Sequence, residues 1–167
     1  GNGEASVRSR LISEEDMVKQ ASEFAGTVPV RHLLPYWKTS NRYLFSGGSV
    51  NMRDAAVYAK EENWSKAVEL WKQTYETKKG KQKMYAAYNT ALGYEMQDSI
   101  DTALEWALKA QTLAREKSKT DKKETGEIHD GTISYYIFIS MYVDELEKRK
   151  EGMARLNMQM NRFDDDF

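Results

Sequence analysis

Apolar residues recur at every third or fourth position over most of the chain, with polar residues between them, which is the pattern of helices that bury one face. Ser13 precedes Glu14, Glu15 and Asp16, an N-cap hydroxyl followed by acids that oppose the positive end of a helix dipole. A helix is therefore expected from about Glu14, with Met17, Val18, Ala21, Phe24 and Ala25 on one stripe and Gly26 as its terminator. From Thr27 to Gly48 the pattern is irregular. Pro29 and Pro35 bracket Val30, Leu33 and Leu34, and Tyr36, Trp37, Tyr43, Leu44 and Phe45 follow. The expectation there is a short helical turn after Pro29, then an aromatic connector ended by Gly47 and Gly48. Further on, the polar stretch Lys117 to Glu127 reads as an exposed loop. Beyond it Ile128, Tyr135, Tyr136, Ile139, Tyr142, Val143 and Leu146 form a helical stripe, with Glu145, Glu147, Lys148 and Arg149 expected outside it. Met153, Leu156 and Met160 continue that helix before the acids Asp164, Asp165 and Asp166.

Between these parts, Ser49 to Lys117 repeats itself. Ala55 aligns with Ala91, Tyr58 with Tyr94, Trp64 with Ile100 and Ala67 with Ala103, each pair 36 residues apart. Within each copy the step from Tyr to Ala spans the end of one helix, a tight turn and the start of the next. Small residues at the crossing let two antiparallel helices approach, and aromatic residues fill the space beside them. The order predicts an all-α chain: a disordered segment (1–12), an N-terminal helix and aromatic connector (13–48), two helical hairpins (49–117), a loop (118–127), a capping helix (128–160) and an acidic tail (161–167).

Both copies resemble tetratricopeptide (TPR) repeats. RDAAVYAKEENWSKAVELWKQ places Ala55, Tyr58, Trp64, Ala67 and Trp71, and AYNTALGYEMQDSIDTALEWALKA places Ala91, Tyr94, Ile100 and Ala103, at the spacing used by that family. The copies depart from it in carrying Glu62 and Asp98 at the turn position where Gly is usual, and Lys79 and Arg115 where a closing Pro is usual. Each unit is also about two residues longer than the roughly 34 expected. The resemblance implies a TPR-like α-α superhelix of two repeats whose first helices line a concave face. On this chain that face would hold Met52, Ala56 and Lys60 from the first unit and Tyr85, Tyr88, Leu92 and Met96 from the second. Exposed, it would be a groove for a protein or peptide partner with aromatic anchors. Covered, it would be core packed by the flanking helices, and with only two repeats the covered reading is favoured.

The order of Pro35, Tyr36 and Trp37, then Arg42 and Tyr43, then Trp64 and Trp71 is also similar to the C-terminal half of uncharacterised lipoproteins of Bacteroidetes envelopes. That likeness implies an extracytoplasmic, periplasmic or outer-membrane, setting and a lipid anchor on a preceding segment. Because the chain begins at Gly1 rather than Met, it reads as a processed or truncated piece from which any N-terminal targeting information has been removed.

Composition narrows the function classes. At 40% hydrophobic the chain of 167 residues can bury a core, and two prolines are too few for the turn density of an all-β fold. With 25 basic and 26 acidic residues there is no net positive field for nucleic acid. No apolar run approaches the roughly 20 residues of a membrane span. Cysteine is absent, which removes disulfides, thiolate nucleophiles and Cys-based zinc sites. His32 and His129 have no ligand-spaced neighbour, so no metal site is expected; a partly buried connector histidine and a helix-start histidine account for them. Phe45-Ser46-Gly47-Gly48-Ser49 lacks the Lys-Ser or Lys-Thr of a phosphate loop and reads as a helix cap. The aspartates of the tail lack the Gly and closing Glu of a calcium loop. No catalytic or cofactor-binding residue is assigned. The expectation is a non-catalytic interaction or scaffolding module, with two alternatives: a structural support for an N-terminal region, or an enzyme using acids near the aromatic connector on glycans.

Overall fold

The computed structural model describes residues 24–33, 37–125 and 130–165. Two strands, β1 (Phe24–Leu33) and β2 (Trp37–Phe45), precede five helices: α1 (Val50–Lys60), α2 (Trp64–Thr77), α3 (Lys81–Met96), α4 (Ile100–Thr125) and α5 (Asp130–Asp165). The chain is thus mostly helical with one small sheet. The expected disordered segment at 1–12 and most of the helix from Glu14 lie outside the described residues.

The connector forms an antiparallel β-hairpin instead of the expected helical turn, with Val28 opposite Arg42, Val30 opposite Ser40 and Leu33 opposite Trp37. Phe24, Ala25 and Gly26, assigned by pattern to a helix end, belong to β1. The cause is a period of two: Thr27, Pro29 and Arg31 face solvent while Val30 and His32 are buried. A proline in an outer position is tolerated because each strand of a two-stranded sheet has a free edge.

The first two helices are capped by side chains that their sequence supplies. The Ser49 hydroxyl accepts from the Met52 N–H, and the Asn63 side chain from the Lys66 N–H. The two tight turns repeat in detail. Asn63 N–H donates to Tyr58 C=O at 2.8 Å and Ser99 N–H to Tyr94 C=O at 2.9 Å. Glu62 and Asp98 both take φ of 60°, the left-handed conformation that only glycine adopts at no steric cost. The start of α1 meets the end of α2 through Asn51 and Gln73, so these helices run antiparallel.

Consecutive helices pack on one another from α1 to α5. Ala55, Ala67, Ala91 and Ala103 are all fully buried, as close helix crossings require. Gly93 plays the same part inside α3, where an added Cβ would run into Val68 and Trp71 of α2.

Two further boundaries move. The expected loop at 118–127 is helical as far as Thr125, because its Lys, Asp, Glu and Thr are polar without being helix breakers; Gly126 and Glu127 lie outside the described residues. The capping helix, expected over 128–160, begins at Asp130 among the described residues and continues to Asp165, so most of the acidic tail is helix.

Opposite signs are expected from two small substitutions followed by urea unfolding. Glu62→Gly relieves the left-handed turn and gains roughly 0.5 to 1 kcal/mol. Gly93→Ala loses about 1 to 3 kcal/mol by overfilling the α2–α3 crossing, although alanine is the better helix former.

Candidate functional site

The face expected to be concave is filled from within the chain. Of the seven residues assigned to it, Met52, Ala56, Tyr85, Tyr88 and Leu92 are buried, Met96 is half-buried and Lys60 is exposed. The first five are core side chains, so no open groove runs across them. Lys60 and Met96 instead line a cleft of about 210 Å³ with Val28, Leu44 and Trp64, between β1 and the ends of α1 and α3.

What fills the face is the end of β2 on one side and α5 on the other. Phe45 stacks on Tyr85 with ring centroids 4.1 Å apart and planes 12° from parallel, and meets the edge of Tyr88 at 5.2 Å. Tyr135 and Phe138 of α5 close over the same ring, at 6.0 and 6.3 Å. Burying an aromatic ring of this size stabilises by about 1.5 to 3 kcal/mol, with aromatic edge and stacking contacts adding to it.

The backbone of the buried strand end is held as well. Asn89 of α3 accepts from the Phe45 N–H at 3.1 Å and donates to the Phe45 C=O at 2.6 Å. The Tyr88 hydroxyl donates to the Tyr43 C=O at 2.7 Å. These bonds satisfy polar groups that would each cost about 1 to 3 kcal/mol if buried alone. They read main chain and not side chain.

Below this clamp lies a buried ionic cluster. Glu95 of α3 accepts from Arg42 of β2, Nε to Oε1 at 3.0 Å, and from Arg149 of α5, Nη1 to Oε2 at 2.7 Å. The Tyr142 hydroxyl donates to Oε1 at 2.9 Å, and the Arg42 guanidinium lies 5.5 Å from the centre of the Tyr142 ring. Glu95 is 1% exposed. Burial pushes its carboxyl up, but hydrogen bonds and charge from Arg42 and Arg149 outweigh that and hold it below the usual carboxylate range. Burial lowers the Arg42 pKa, yet the bond to Glu95 raises it on balance. Tyr88 and Tyr142 are kept neutral by burial, which raises both hydroxyls.

His32, on the inner face of β1, is buried and its Nδ1 has no hydrogen-bond partner. Burial, then the positive charges of Arg149 and Arg42, lower its pKa, so it stays neutral. A carboxylate locked between two guanidiniums is a poor proton donor, which argues against Glu95 as the general acid of a glycan-cleaving pair. No group of three or more His, Asp or Glu is placed to hold a metal ion among the described residues. Nor is any described helix long and apolar enough to cross a membrane.

Sequence reasoning assigned Tyr85 and Tyr88 to a partner-binding face, where the structure buries both, and gave no site role to Arg42, Asn89, Glu95 or Arg149. Arg149 was expected outside the α5 stripe and is 6% exposed. A signal existed: Glu95 continues the buried positions of α3 beyond Tyr88, Ala91 and Leu92, and Arg149 continues Tyr142 and Leu146. Opposite charges at interior positions of two stripes are the pattern of a buried ion pair.

Both depressed values carry the same sign. Between its folded and unfolded pKa each group binds fewer protons in the folded state, so stability falls as pH falls through that window. Urea midpoints are therefore expected to drop below about pH 6.5 from His32, and again below about pH 4.3 from Glu95. His32→Gln removes the first phase. Glu95→Gln removes the second and costs about 3 to 5 kcal/mol at neutral pH, since two guanidiniums lose their buried counter-charge.

Two family models match on either side of the start of this helical unit. Residues 1–45 match the model described as Domain of unknown function (DUF8603), which ends at Phe45. No curated protein and no solved structure gives a significant match to the chain. The model spanning residues 53–148, from α1 through the part of α5 that packs against α3 and α4, shows that the chain belongs to the family described as Domain of unknown function (DUF6340).

Proposed function

We propose that the helical unit is a pair of TPR-like hairpins acting as a non-catalytic scaffold, whose concave face holds the chain's own N-terminal hairpin where a partner peptide would otherwise lie. The observation that carries this is the treatment of Phe45: one ring in an aromatic pocket and both backbone groups on Asn89. An extended segment held by an anchor ring and by main-chain bonds is bound as peptides are bound. The TPR-like part of the reading is supported by the equivalence of the two turns, where Glu62 and Asp98 share φ of 60°.

The family boundaries give the arrangement a use. The first family match ends at Phe45 and the second begins at Arg53, so the clamp joins the end of one unit to the face of the other. A permanent structural support is the second reading, favoured by the Arg42–Glu95–Arg149 cluster, which ties β2, α3 and α5 at one buried point.

A protease site inserted between Gly47 and Gly48 tests both. After cleavage the fragment ending at Gly47 is expected to stay bound during gel filtration, and Asn89→Ala to weaken its retention about tenfold or more, as loss of buried hydrogen bonds requires. Exchange of the retained fragment for a labelled synthetic copy marks a peptide-binding face, whereas retention without exchange marks a fixed support. Immediate dissociation of the unmodified fragment contradicts both readings.

A further inference from the structure

Along the surface seam of α2, α3 and α4, lysines are seated on aromatic rings. Lys72 Nζ lies 5.0 Å from the centre of the Tyr94 ring and 5.8 Å from that of Trp106. Lys109 Nζ is 4.1 Å from Trp106 and 5.8 Å from Tyr75, and Lys83 Nζ is 4.6 Å from Tyr75. Tyr75 and Trp106 themselves meet edge to face at 5.0 Å. The result is a row in which rings and ammonium groups alternate: Tyr94, Lys72, Trp106, Lys109, Tyr75, Lys83.

None of these three ammonium groups takes part in an ion pair among the described residues; the pairs present are Arg42 and Arg149 with Glu95, Arg149 with Asp98, and Lys150 with Asp101. Acids outnumber bases, 26 to 25, so partners were available in the composition. Beyond Tyr75 lies the exposed connection between α2 and α3, which carries Lys78 and Lys79. Lysine stems lie over apolar surface in many proteins simply to keep it wet. Here the rings also fix where the charges sit, which lowers the entropy lost when a ligand pairs with them.

Beside the row lies an open trough of about 760 Å³, lined by Trp106, Lys72, Asn51 and Gln73 together with Glu69 and Glu76. Those two acids repel a continuous polyanion, such as a nucleic-acid strand. A polypeptide can set its acids against the lysines alone and put an apolar residue in the trough. We infer that this lysine–aromatic row is a docking surface for an acidic polypeptide segment, with carboxylates on Lys72, Lys109 and Lys83 and an apolar side chain beside Trp106. It is a different surface from the clamp on Phe45 and does not depend on it.

The test uses the full chain and a fluorescein-labelled peptide of glutamates with one central leucine, measured by anisotropy. Its all-glutamine counterpart, phosphatidylglycerol vesicles and a single-stranded oligothymidine serve as competing probes. The glutamate peptide is expected to bind, to bind at least about tenfold more weakly to Lys83→Glu/Lys109→Glu, and to weaken as salt rises. Tyr75→Leu and Trp106→Leu leave net charge unchanged, and each is expected to weaken binding severalfold; circular dichroism identifies any variant that fails to fold, and the lysine pair, at exposed or half-buried positions, keeps the test open in that case. Equal affinity for the lysine variant, equal binding of the glutamine peptide, or binding of vesicles or oligothymidine without the glutamate peptide overturns the inference.

Discussion

A carboxylate buried among packed helices must be matched by charge or it will not stay ionised, and in this chain that constraint falls on Glu95. Two guanidiniums and a phenol meet it, and they arrive on two different elements: Arg42 on β2, and Arg149 with Tyr142 on α5. Neutralising one side chain thereby fixes where a strand and a helix lie against α3. The aromatic cluster above it, centred on Phe45, adds area, while the ionic cluster adds register. A displaced strand would leave both a ring-sized cavity and an unpaired buried charge.

The same arrangement explains why the face predicted to be a groove is so apolar. Tyr85, Tyr88 and Leu92 are not waiting for solvent or a partner; they are covered by β2 and α5. Two helical hairpins have little interior of their own, and their apolar faces have to be covered by flanking elements. The strand end supplies a flat insert on one side, held by Asn89 through main-chain bonds, and α5 supplies a helical cover on the other.

How much of this could be read from the chain follows from how the information is stored. The helices were legible because their patterns are local: the 36-residue spacing of Ala55 and Ala91, or Tyr58 and Tyr94, survives into turns that share the bond from Asn63 to Tyr58 and from Ser99 to Tyr94. The β-hairpin was not, since a run as short as Thr27 to Leu33 with a proline in it carries both a period-two reading and a helix-start reading, and only pairing with residues 37–45 decides between them. The run after Lys117 misled for a related reason, polarity alone being no stop signal where glycine and proline are missing. The ionic cluster is the least local feature, with Arg42 and Glu95 53 positions apart and Glu95 and Arg149 54 positions apart. Its trace in the sequence is only that two charged residues occupy interior positions of otherwise apolar stripes.

The central claim is that the end of β2 belongs to the core of the helical unit and is not a loosely attached neighbour. Native-state hydrogen exchange at the Phe45 amide, which donates to Asn89, measures this directly. The account predicts protection equal to that of the buried α3 amides around Asn89 and Leu92, so that the strand end is released only by global unfolding. Exchange of Phe45 through local openings of much lower free energy, with α3 still protected, would contradict it.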